Sequence, residues 1–148
     1  MCEALLIREL ENLHLEGITV SSAGLNATPD RTAHHWAVTA ARHFGISLDQ
    51  HRARVLSDQM VNQADLIFAM DLQNYAQLVS RWPTIRKKVF MLGAYAQGTH
   101  RALEITDPFY TSLEQTQACY QILNSCIHNF ARSLSSAEQS QATSSVAR

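Results

Sequence analysis

The chain has 148 residues, 46% of them hydrophobic and 17% charged, and a formal net charge of −1. That length suits one domain with a real core, and the balanced charge excludes the basic excess of a nucleic-acid binder. Three cysteines, Cys2, Cys119 and Cys126, show no CxxC or Cys/His spacing. Neither a disulfide framework nor a metal or other cofactor site is expected, and a reducing cytoplasm is the expected compartment. No apolar run approaches the roughly 18 residues of a membrane span, so no membrane partner is expected.

Cys2, Leu5, Leu6, Leu10 and Leu13 recur at helical spacing and predict an amphipathic helix from Met1 that Gly17 stops. Ile18 to Ser22 is a short β-branched run before Ala23-Gly24, which reads as a strand and a turn. Pro29-Asp30 opens a predicted second helix bearing Ala33, Ala37, Ala40 and Ala41, with Gly45 as its C-terminal cap. Asp65 to Met70 and Lys88 to Gly93 are continuous apolar runs of the kind buried on both faces of a sheet. Leu72 to Val79 reads as a helix ended by Trp82-Pro83, and Leu113 to Leu134 as a last helix with Cys119, Ile122, Leu123, Cys126 and Phe130 on one face. Residues 135–148 are Ser, Ala and Gln with little that is apolar, and read as a disordered tail behind a domain of residues 1–134. The order α-β-α-β-α-β-α calls for a small parallel sheet between helical layers, an α/β/α architecture.

Cys126 to Ser133 spells C-x5-R-S, the pattern of a thiol phosphatase loop. It contains no glycine to let backbone amides approach a phosphate, and it lies inside a helical period on the apolar face. Cys126 is therefore read as core, as is Cys119 one heptad earlier. The histidines other than His51 show no ligand spacing.

Several segments in order resemble the low-molecular-weight protein tyrosine phosphatase family: Cys2-Glu3-Ala4-Leu5-Leu6, Ser22-Ala23-Gly24, the H-x-A-R of His51 to Arg54, the run Asp65 to Asp71, and Asp107-Pro108-Phe109-Tyr110. Each is weak alone, and their shared order and spacing over residues 1–134 make the resemblance. It implies a sheet of order 2-1-3-4 whose first, central strand is missing from this chain, together with the C-x5-R-S/T loop that in the family precedes the position of Met1. The chemistry implied is hydrolysis of phosphotyrosine through a cysteinyl-phosphate. The chain as written is then expected to be inactive, because it lacks the cysteine nucleophile and the arginine that clamps the phosphoryl oxygens.

The resemblance further assigns Asp107 as general acid, Phe109, Tyr110 and Leu25 as walls against the substrate ring, and Ser22 and His51 as braces of the phosphate loop. The implied partner is a tyrosine-phosphorylated protein, with a bacterial tyrosine kinase as one such protein. A catalytically dead binding module and a phosphoarginine phosphatase of the same fold are the alternatives. An arsenate reductase would need further cysteines between His51 and Thr111, and there are none.

Overall fold

The computed structural model describes residues 1–98, 102–109 and 111–146, with side chains as far as residue 137. Five helices and two strands follow in order: α1 (Cys2–Asn12), α2 (His35–Arg42), α3 (Asp58–Gln63), β1 (Ile67–Ala69), α4 (Leu72–Arg81), β2 (Val89–Met91) and α5 (Leu113–Val146). Short 3₁₀ turns occupy Pro83–Lys88 and Leu92–Tyr95.

β1 and β2 pair in parallel, Ile67 opposite Val89 and Ala69 opposite Met91. Because side chains alternate across a strand, β1 feeds two cores, whereas β2 feeds one and is not buried on both faces as expected, its Phe90 being 46% exposed. Ile67, Ala69, Val89 and Met91 pack with Val61 of α3 and Leu78 of α4. Phe68 and Met70 face the other way, toward Leu5 of α1, Ala40 and Ala41 of α2, and Leu123 and Ile127 of α5. The result is the expected helix–sheet–helix layering. No helix among the described residues is long and apolar enough to cross a membrane.

Four other local expectations are corrected. Residues 18–22 form no strand. An extended run becomes a strand only beside a ladder partner, and the first pairing there is the single parallel contact of Gly24 with Val55. α1 ends before Gly17: His14 takes the left-handed conformation (φ 54°) and the Leu15 amide bonds back to Leu10 O at 3.0 Å. α2 starts at His35 rather than at Pro29-Asp30. Asp30 is itself left-handed (φ 61°), and its amide and the Arg31 carbonyl are taken by Ala53, each at 2.9 Å, so this stretch bonds sideways instead of into a helix. The last helix does not stop at Leu134 but continues to Val146. Residues 135–146 contain no glycine or proline, and extending an existing helix costs far less than nucleating one.

Gly45 does cap α2. At φ 68° it donates to Arg42 O at 3.0 Å while Ile46 donates to Ala41 O at 3.1 Å, a Schellman ending. α3 has no counterpart in the sequence reading. Ser57 accepts the Met60 amide at its start, and the Lys88 ammonium donates to the Ala64 carbonyl just beyond its end.

Candidate active site

The segment that carries Asp107 is anchored three times just before it. The Leu72 amide at the start of α4 donates to Glu104 Oε1 at 2.9 Å, and Ile105, itself buried in the main core, donates to Met70 O at 2.8 Å. Gly93 lets the chain approach: a Cβ there would lie 2.3 Å from Leu103 O and 2.4 Å from Ala102 O. Two residues beyond these anchors the Asp107 carboxylate is exposed to solvent, and its Oδ1 accepts the Phe109 amide at 3.0 Å. This Asx turn fixes the carboxyl relative to the half-buried Phe109 ring.

That ring does not stand alone. The Arg31 guanidinium sits 5.1 Å from its centroid and the His34 ring 5.5 Å away. His34 is also the N-cap of α2, its Nδ1 accepting the Trp36 amide at 3.3 Å. Tyr110 lies outside the described residues.

A second group of polar side chains gathers at the first turn of α1. Glu3 is its hub: Ser22 Oγ donates to Oε2 at 2.5 Å and Arg54 donates to Oε1 at 3.3 Å. Beside it opens a groove of about 490 Å³ lined by Met1, Glu3, Asp30, His51, Arg52 and Arg54 among others. The residues read as loop braces, Ser22 and His51, are therefore brought to one place. Asp30 in this groove and Arg31 over Phe109 are chain neighbours, so the two groups adjoin. Leu25 belongs to neither. It packs against the core between the sheet and α3/α4, so its neighbours here are core side chains.

Sequence reasoning missed Glu3, Arg31 and His34. A carboxylate one residue past Cys2 was a possible signal for Glu3, whereas Arg31 and His34 meet Phe109 only through the fold.

All three thiols are shifted toward the protonated form. Cys2, in the first turn of α1, is pushed up to about 11 by burial above all, with the thiolates of Cys119 and Cys126 adding and the nearby α-amino group opposing. Cys119 is raised to about 11 by burial and by the Asp107 charge, and burial raises Cys126 as well. Reactive thiols show the opposite shift. The C-x5-R-S string fails in space too: Cys126 is 0% exposed inside α5 while Arg132 is exposed to solvent, so they cannot face one phosphate. Among the described residues no group of three His, Cys, Asp or Glu could hold a metal ion.

A small parallel sheet between helical layers, with an Asp-Pro loop anchored at the end of β1 and a polar groove at the start of α1, has the frame of an α/β phosphatase. The sequence model of the Low molecular weight phosphotyrosine protein phosphatase family matches residues 1–140, and the chain belongs to that family. It is 33% identical to the low molecular weight protein-tyrosine-phosphatase Wzb of Salmonella typhi over 132 residues, 89% of this chain and 85% of that one. Among solved structures it is similar to the YwlE arginine phosphatase of Geobacillus stearothermophilus (29% identity, 94% and 86% of the chains, TM-score 0.81). It is also similar to a protein tyrosine phosphatase of Entamoeba histolytica solved with Hepes in its active site (25% identity, 93% and 88%, TM-score 0.84).

Proposed function

We propose that residues 1–148 supply the scaffold and the acid of a protein tyrosine phosphatase, and that its nucleophile is not among them. The observation that carries this reading is the Asp107 loop, an exposed carboxyl held by an Asx turn beside an aromatic ring and anchored to the end of β1. When a thiolate attacks phosphorus, the phosphorus–oxygen bond breaks and the phosphoryl group passes to sulfur. The departing phenolate, with a pKa of about 10 as the free phenol, then takes the Asp107 proton; positioned acids contribute ~10²–10⁴-fold. Phe109 and Tyr110 wall the substrate ring, while Ser22 and His51 brace the phosphate loop. The substrate is a tyrosine-phosphorylated protein, a bacterial tyrosine kinase being one candidate, met in a reducing cytoplasm where the three thiols stay free.

A phosphoarginine substrate is the second reading, favoured by the likeness to YwlE. Its guanidine leaving group, more basic than a phenol, needs the same proton. By themselves residues 1–148 then act at most as a binding module for a phosphoprotein. The test is hydrolysis of an aryl phosphate and of phosphoarginine by these residues. The expected rate is that of buffer, and a turnover abolished by Cys2→Ala, Cys119→Ala or Cys126→Ala would overturn the reading.

A further inference from the structure

From the contact between Arg31 and the acid loop we infer that Arg31 is a specificity residue, selecting a peptide with a carboxylate next to its tyrosine. The inference rests on the phosphatase reading for the identity of that tyrosine, and on the geometry for the rest.

The Arg31 guanidinium lies over the Phe109 ring, 5.1 Å from the centroid. Arg31 is exposed and, among the described residues, its side chain forms no ion pair, although Asp30 precedes it and Asp107 lies two residues from Phe109. A guanidinium over a ring face, with no ion pair of its own among the described residues, keeps N–H donors that can take a carboxylate in a bidentate way. The ring contact also restrains the side chain, and side-chain freedom is part of what makes exposed ion pairs weak.

Phe109 shares its loop with Asp107, so a group caught by Arg31 is presented within a residue or two of the reacting tyrosine. Further rings follow Phe109, with His34 at 5.5 Å and then His35 and Trp36 at 4.2 Å each, every pair tilted. Arg86, an exposed cation in the turn Pro83–Lys88 on the α4 side of the sheet, has no such support and serves as the control.

The test measures binding of three labelled peptides to residues 1–148 at low salt, by fluorescence anisotropy. One peptide has phosphotyrosine flanked by glutamate, one has phosphotyrosine flanked by glutamine, and one has unmodified tyrosine flanked by glutamate. The expected result is roughly 2–5-fold tighter binding of the glutamate-flanked than of the glutamine-flanked phosphopeptide, a ratio that falls to about one in Arg31→Gln and stays in Arg86→Gln. Thermal melts of both variants establish that they fold; the backbone bond from Ala53 to the Arg31 carbonyl does not involve the replaced side chain. A ratio near one in the parent, or a ratio that survives Arg31→Gln, overturns the inference. The tyrosine and phosphotyrosine peptides are expected to bind alike, because the phosphate loop is not among residues 1–148; the glutamate-to-glutamine ratio therefore tests the inference alone, and aryl phosphate hydrolysis by a chain completed with that loop tests the phosphatase reading.

Discussion

Glu3 accepts from Ser22 at 2.5 Å and thereby ties the first turn of α1 to the extended segment after it, while its other oxygen takes Arg54 at 3.3 Å. One carboxylate thus joins three stretches of chain that border the groove. The Glu3 side chain is 19% exposed against 50% for Arg54, so the ion pair is partly screened and the hydroxyl bond is the stronger contact. Glu3→Ala should cost about 1–2 kcal/mol, and Glu3→Gln, which keeps an acceptor for Ser22, less than half of that. Urea unfolding midpoints at constant m-value measure both, and equal losses in the two variants would contradict the assignment.

Gly93 lets the segment that leads to Asp107 pack closely by having no side chain. A Cβ there would stand 2.3 Å from the Leu103 carbonyl oxygen, a contact that only backbone movement relieves. Gly93→Ala should destabilise by about 1–3 kcal/mol, within the usual cost of overpacking. The displacement should run through Ile105, whose amide bonds Met70, and so to Asp107. Amide exchange at Ile105 and Phe109 should quicken relative to the α1–α5 core. Unchanged protection at both would show that the loop is held by something else.

The raised thiols give stability a pH dependence. Cys2 and Cys119 ionise near 11 in the folded chain against an ordinary 9.0. On raising the pH the unfolded thiols lose their protons first, so between 9 and 11 the folded state holds more protons. The contribution is complete below pH 9 and is lost as pH rises toward 11. Tyr120, raised chiefly by burial, extends the loss to higher pH. Urea midpoints should fall more steeply over this window in the parent than in Cys2→Ala/Cys119→Ala, and parallel profiles would contradict the shifts.

What the sequence disclosed and what it hid follow a physical line. β1 and β2 were legible as unbroken apolar runs, although β2 is covered on one face only, with Val89 and Met91 buried and Phe90 46% exposed; the end of α2 was legible because Gly45 is a left-handed residue that announces itself. The left-handed His14 that ends α1 carries no such mark. The start of α2 was misplaced because residues 30–32 are claimed by residues 52–53, a pairing that no local window contains. Of the candidate site, the Asp107-Pro108-Phe109 loop and the Ser22 and His51 positions rest on motifs. Leu25 is half-buried and packs against the core between the sheet and α3/α4. Arg31 over Phe109 joins residues far apart in the chain, and only the folded backbone brings them together.

The central claim is that this scaffold places Asp107 to protonate a leaving group once a phosphate loop is present. The direct measurement is aryl phosphate hydrolysis by residues 1–148 joined, ahead of Met1, to a strand and C-x5-R-S loop taken from a relative, with and without Asp107→Asn. The account predicts turnover in the joined chain and a ~10²–10⁴-fold lower rate in the asparagine variant, with the loss smaller for substrates whose leaving group is already acidic. A folded, joined chain that stays inactive, or one that Asp107→Asn leaves as fast as its parent, would contradict it.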